Sequence, residues 1–294
     1  MLVDQPALLA ENLNVWFGAD PANKRMIRTL DGKVRGVLSS KFRPLDNYDL
    51  ANAVLPLLLE SGAQIVSSEL TDTRLYLKAI LPSLSDELPA GMIWGSGHNA
   101  VAEYRGNEPG RIVAAIVISN SDVGAGALRV EPSTFTTWCT NLAIMAEAAM
   151  RKYHVGKGFN ADDDMQVYRD ATREADDRAF FLKVQDITKA AFSAEAFRAA
   201  IDSIRDAGSA RITSQDLPKV VETTVRRLAL PEGSASSILT QLAMGGDLTK
   251  WGLSSAITAV ANNYADYEGA TEFERAGGKV LALQGKDWEV LAAA

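Results

Sequence analysis

Seven cations stand between residues 20 and 43, Lys24, Arg25, Arg28, Lys33, Arg35, Lys41 and Arg43, against only Asp20 and Asp31. Clustered Lys and Arg are the groups that neutralise a phosphate backbone. Phe42, Tyr48 and Tyr76 nearby offer rings on which unpaired bases can stack. The chemistry this pattern could do is therefore non-covalent: a groove that follows single-stranded nucleic acid. The plainer alternative is a solvated basic strip. A third is a strip docked on acidic surface elsewhere in the protein. The chain as a whole is acidic, at −7, which argues against a general DNA-coating role.

Covalent and metal chemistry find little material. His98, His154 and Cys139 are the whole supply of soft ligands beyond carboxylates, and none stands at ligand spacing from another. If Cys139 and His154 share a helix they lie about 22 Å apart along its axis, too far for a nucleophile and its base. Cys139 reads as a buried, chemically silent thiol. Asp162-Asp163-Asp164 could hold a hard cation, but suits the first turn of a helix at least as well. There is no GxSxG elbow, no SxxK, no GxGxxG and no phosphate-binding GxxxxGK[ST]. Gly95-Ser96-Gly97-His98 and Gly124-Ala125-Gly126 are too short to cradle a phosphate. The reading leans away from an enzyme, with no catalytic residue, metal or cofactor assigned. A metal-dependent nucleic-acid enzyme built on Asp122 and Asp162–Asp164 is the weakest alternative.

These residues must be positioned by a fold, and its outline is legible. The chain has 294 residues, 47% apolar and 23% charged, which is ordinary globular composition. Cys139 is the only cysteine, so no intramolecular disulfide can form and a reducing, cytoplasmic compartment is expected. No window approaches the roughly 18 uncharged apolar residues of a membrane span, and no secretory leader is expected. Residues 34–39 read as a strand. Arg43-Pro44-Leu45-Asp46-Asn47 reads as a turn, with Asp46 capping a helix whose Leu50, Ala53, Val54, Leu57 and Leu58 form one stripe. Pro56 should kink that helix and Gly62 should stop it.

Residues 63–70 and 74–81 flank Thr71-Asp72-Thr73 as a β-hairpin, and residues 82–110 read as irregular. Residues 111–118 form an apolar run expected of a strand buried on both faces. A turn at Asn120–Gly126 leads to a strand over 127–131, ended by Pro132. Ser133 is then expected to cap a long helix reaching Tyr153. From residue 160 onward the pattern is helical, near 162–191, 193–207, 214–229, 234–244 and 249–266, with Ser193 and Thr249 as caps and a short apolar strand or turn at 279–283. The expected fold class is α+β: an antiparallel sheet packed on two helices, then a mostly helical C-terminal half. The boundary falls near Gly156–Asn160, giving residues 1–158 and 159–294. The first part holds 15 basic against 16 acidic residues and the second 15 against 21.

Several fragments, in order, resemble the phage- and plasmid-borne family called domain of unknown function 932: Arg43-Pro44-Leu45-Asp46-Asn47, Asn120-Ser121-Asp122-Val123-Gly124, Cys139-Thr140-Asn141, His154-Val155-Gly156, and Trp251-Gly252-Leu253 with Ala256-Ile257-Thr258. The resemblance covers roughly residues 33–290. Leu142 stands where the family usually has Gly, and Asp122 where it usually has Glu. What the resemblance implies is a mobile-element protein, often placed near recombination functions. By analogy of fold alone, the pattern over residues 44–155 is similar to single-strand annealing proteins of recombination. The leading expectation is thus a homo-oligomeric protein that binds single-stranded DNA, without cofactor, metal or membrane. Its rival is a module that binds a phage or host protein.

Overall fold

A computed structural model of the chain describes residues 2–20, 23–39, 42, 45–92, 110–137, 141–145, 150–152, 170–264 and 266–294. The chain is α+β, with antiparallel strands and helices in the first part and a mostly helical C-terminal half. It opens with an arm. Helix α1 (Pro6–Trp16) packs on a hairpin of β1 (Arg25–Leu30) and β2 (Lys33–Ser39). The expected strand at 34–39 is β2, but β1 was not anticipated. Its cue was Asp31-Gly32, a strong two-residue hairpin signal, and both residues hold positive φ, 50° and 70°.

Helix α2 (Asn47–Glu60) follows, burying Leu50, Val54 and Leu58 and running on through Pro56 to a stop at Gly62. The main sheet has the order β3-β4-β5-β6-β7, comprising β3 (Gln64–Leu70), β4 (Leu75–Glu87), β5 (Arg111–Asn120), β6 (Leu128–Thr136) and β7 (Leu142–Ile144). A further strand, β8 (Met150–Lys152), also pairs with β6. All pairings are antiparallel. Strand β5 is buried on both faces, as its unbroken apolar run requires: Ile112, Ala114, Ile116 and Ile118 join the core under α2, and Val113, Ala115 and Val117 form a second cluster with Leu142 and Ile144.

Two expectations are corrected here. Residues 82–87 continue β4, after Pro82, Ser83 and Leu84 pass without a partner on β5. The helix expected over 133–155 does not form: β6 runs through Pro132 to Thr136, and β7 and β8 follow. Pro132 was read as a stop because it cannot donate to a ladder. Its carbonyl nonetheless accepts from Met145 N at 3.1 Å, and it pairs with Ile116 of β5 within the ladder. Both faces of β6 are largely buried, and β-branched Thr134 and Thr136 suit that pleated surface.

The helical half comprises α3 (Asp170–Ala191), α4 (Ala194–Ser209), α5 (Leu217–Arg227), α6 (Ser234–Gly245), α7 (Lys250–Ala261), α8 (Tyr267–Ala282) and α9 (Gly285–Ala292). Ser193 and Thr249 cap α4 and α7, accepting from the amides of Ala196 and Gly252. The strand or turn expected at 279–283 is the end of α8, whose stripe of Phe273, Ala276, Val280 and Leu281 is helical. Every residue of α7 is buried, so it forms the axis of the half. Helix α8 lies against β7 so closely that a Cβ on Gly278 would fall 1.6 Å from the Ile144 carbonyl oxygen. One apolar core joins α2, the sheet, α3, α4, Trp251 of α7 and Leu281 of α8. The expected boundary at Gly156–Asn160 lies outside the described residues, as do Cys139, His98, His154 and Asp162–Asp164.

Candidate functional site

The cationic segment is the arm, and its attachment decides which charges are free. At the open end of the hairpin Asn14 of α1 mimics a neighbouring strand: its Nδ2 donates to the Arg25 carbonyl at 2.8 Å, and its Oδ1 accepts from Arg25 N at 2.7 Å. Gly36 and Leu38 of β2 sit over the 120–126 loop, against Val123 and Gly124. Arg28 pairs with Asp46. Arg35 donates to the Asp72 carbonyl and lies 3.7 Å from Asp122 Oδ2, clasping the β3–β4 turn and the β5–β6 loop together. From the other side Arg74 donates to the Ala125 carbonyl and pairs with Glu268 at 3.1 Å.

The anticipated residues therefore divide. Lys24, Arg25 and Lys33 are exposed and make no ion pair among the described residues. Arg28 and Arg35 are half-buried and engaged with the body. Lys41 and Arg43 lie outside the described residues. Phe42 is half-buried beside Gly124, and Tyr48 is 75% exposed on the first turn of α2. Tyr76 is corrected as a stacking ring: only 1% exposed, it packs on Tyr267 at 5.5 Å and meets Arg74 Nη1 at 3.3 Å. Burial pushes its phenol above the ordinary range, against the pull of Arg74. Sequence reasoning missed Trp16, 86% exposed, and Phe17, 67% exposed, at the end of α1. The available signal was an aromatic pair just ahead of Gly18, eight residues before the first cation.

Two fragments of the family resemblance meet at the foot of the arm. Asn120 Nδ2 donates to the Leu45 carbonyl at 2.9 Å and to Asn47 Oδ1 at 2.8 Å, and Ser121 Oγ accepts from Ala125 N. Their role is to join the turn before α2 to the β5–β6 loop. Two others meet inside the sheet–helix layer, where Asn141 Nδ2 donates to the Ser255 carbonyl at 3.1 Å and its Oδ1 accepts from Asn262. Trp251 Nε1 donates to the Met92 carbonyl at 2.8 Å.

A buried ionic layer fixes α8 on the sheet. Lys78 Nζ reaches Glu274 Oε1 at 2.6 Å and stands 4.6 Å over the Tyr267 ring. Arg275 grips Glu131 with two bonds of 2.8 and 2.7 Å. Burial raises the Glu274 carboxyl above the usual carboxylate range, only partly opposed by Lys78. Among the described residues no three His, Cys, Asp or Glu side chains gather as a metal site. An open cleft of about 300 Å³ between α6 and α7 is lined by Ser237, Thr240, Gln241, Val260, Asn263 and Tyr264, without a charge. No helix among the described residues is long and apolar enough to cross a membrane. Comparison of the chain with protein-family models, curated proteins and solved structures gives no match.

Proposed function

We propose that this chain binds single-stranded DNA along the open end of its N-terminal arm, as strand annealing in the recombination of a mobile element requires. The observation that carries the reading is the company kept there. Trp16 and Phe17 face solvent at the end of a helix that Asn14 fastens to Arg25, and Lys24 and Arg25 make no ion pair among the described residues. Exposed rings of this size are costly to leave in water, and rings beside unpaired cations suit bases and phosphates alike. The resemblance of the motif fragments to the domain of unknown function 932 is what suggests the mobile-element context. The test is titration of a fluorescent oligothymidylate with the protein and with Trp16→Ala/Phe17→Ala. Loss of one stacked base weakens binding by about 1–3 kcal/mol, so affinity should fall at least about fivefold. Unchanged affinity would remove the aromatic pair from the interface.

A further inference from the structure

The sheet meets helix α7 across a polar seam set in an otherwise apolar face. Thr134 and Thr136 of β6 stand opposite Ala114 and Ile112 of β5, which belong to the core under α2. Together with Asn141, just before β7, and Ser254, Ser255 and Thr258 of α7, they line one cavity of about 10 Å³. Every one of these polar residues is more than nine-tenths buried. Most of their hydrogen-bonding groups are already committed. Thr136 Oγ1 donates to the Asn141 carbonyl at 3.1 Å, Ser254 Oγ to the Gly277 carbonyl at 2.9 Å and Thr258 Oγ1 to the Ser255 carbonyl at 3.1 Å. The Asn141 amide serves Ser255 and Asn262. Two hydroxyls differ. Those of Thr134, 2% exposed, and Ser255, 4% exposed, have no hydrogen-bond partner among the described residues.

A buried hydroxyl without a partner costs free energy that a bound water recovers. Apolar cavities stay dry, whereas a cavity with polar partners and room for a water holds one. About 10 Å³ is the space that the centre of a single water needs, and it is too small for an organic ligand. No carboxylate lines the cavity among the described residues, so nothing in it favours a bare cation over water. We infer that one water molecule is bound in this cavity, held by Thr134 and Ser255, and that it joins β6 to α7. Each of the two hydroxyls can donate and accept, as water can, so the partners match in kind. The hydroxyl oxygens of Ser254 and Thr258 donate elsewhere and keep acceptor capacity for a further bond from the water. None of these residues belongs to the arm, so the site stands or falls separately from nucleic-acid binding.

Two measurements on the full chain test it. A high-resolution crystal structure should show one density peak in the cavity, within about 2.5–3.0 Å of both Thr134 Oγ1 and Ser255 Oγ. An empty cavity, or one closed by a direct bond between those hydroxyls, would overturn the inference. Magnetic relaxation dispersion of the water oxygen counts waters held longer than the protein tumbles, and is blind to exchanging hydroxyl protons. Thr134→Val with Ser255→Ala removes both unpartnered hydroxyls while changing little volume, and the count should fall by one long-lived water. An unchanged count would also overturn it. Should the double variant not fold, Thr134→Val alone, which is nearly isosteric, reads the same loss.

Discussion

Arg28 and Arg35 are indistinguishable from Lys24 and Arg25 in the sequence; what separates them is an acid or carbonyl brought near by the fold. Asp46 lies 18 positions from Arg28, and the Asp72 carbonyl 37 from Arg35, so no local rule could have paired them. Arg28→Gln should cost under about 1 kcal/mol of stability, since the pair is partly exposed, and should leave nucleic-acid affinity unchanged. Chemical denaturation and the oligonucleotide titration check both halves of that statement. Tyr76 shows the same limit: its ring was legible, but its burial depends on Tyr267, far along the chain. Lys78 and Glu274 are both buried, so removing either partner strands the other. Glu274→Ala should cost about 3–5 kcal/mol, whereas Lys78→Met with Glu274→Leu should be near neutral. Because burial raises the Glu274 carboxyl in the folded state, the folded protein holds this proton to higher pH than the unfolded chain does. The contribution of this group to stability is therefore full at acid pH and declines as pH rises above the ordinary carboxylate range. Thermal unfolding of the protein and of Glu274→Gln between about pH 4 and 7 should show the natural chain losing ground to the variant as pH increases. A widening advantage would contradict the assigned direction.

At the scale of elements, period and punctuation carried most of the reading. The stripe of Leu50, Val54 and Leu58, the Thr71–Thr73 turn, the apolar run of β5 and the caps at Ser193 and Thr249 all lie where their local chemistry puts them. What misled was a residue whose local meaning tertiary structure overrides. Pro132 and Ser133 make a plausible helix start, yet Pro132 sits mid-strand opposite Ile116 of β5, with its carbonyl accepting from Met145. The Asp31-Gly32 turn is legible in the sequence, since this dipeptide suits a two-residue hairpin loop. Gly32→Val should destabilise the hairpin by about 1–2 kcal/mol, since a β-branched residue tolerates positive φ poorly. Gly278 had no signal at all, because its need for a missing Cβ comes from the Ile144 carbonyl on another element. Gly278→Ala should cost about 3 kcal/mol or more by forcing α8 off β7, read as a fall in the thermal midpoint.

Across the whole molecule, the sheet shares one core with α2, α3 and α4, helices α5 to α9 bury a second, and the arm stands beside the sheet on polar clasps. The class of fold could be read ahead because alternation over the strands and 3.6-residue stripes over the helices are properties of composition along the chain. The candidate site was half legible: its cations were evident, but which remain unpaired, and which rings face water, depends on long-range packing. Binding as proposed sets Lys24 and Arg25, exposed at the open end of the arm, against phosphate. The most direct measurement is the affinity for a single-stranded oligonucleotide as a function of salt, for the protein and for Lys24→Gln/Arg25→Gln. Each neutralised phosphate contributes about −0.7 to the log–log slope, so the double substitution should flatten it by about 1.4. Stability should not change, because both side chains are exposed and neither is paired among the described residues. No binding at low salt, or a slope that the substitution leaves untouched, would contradict the claim.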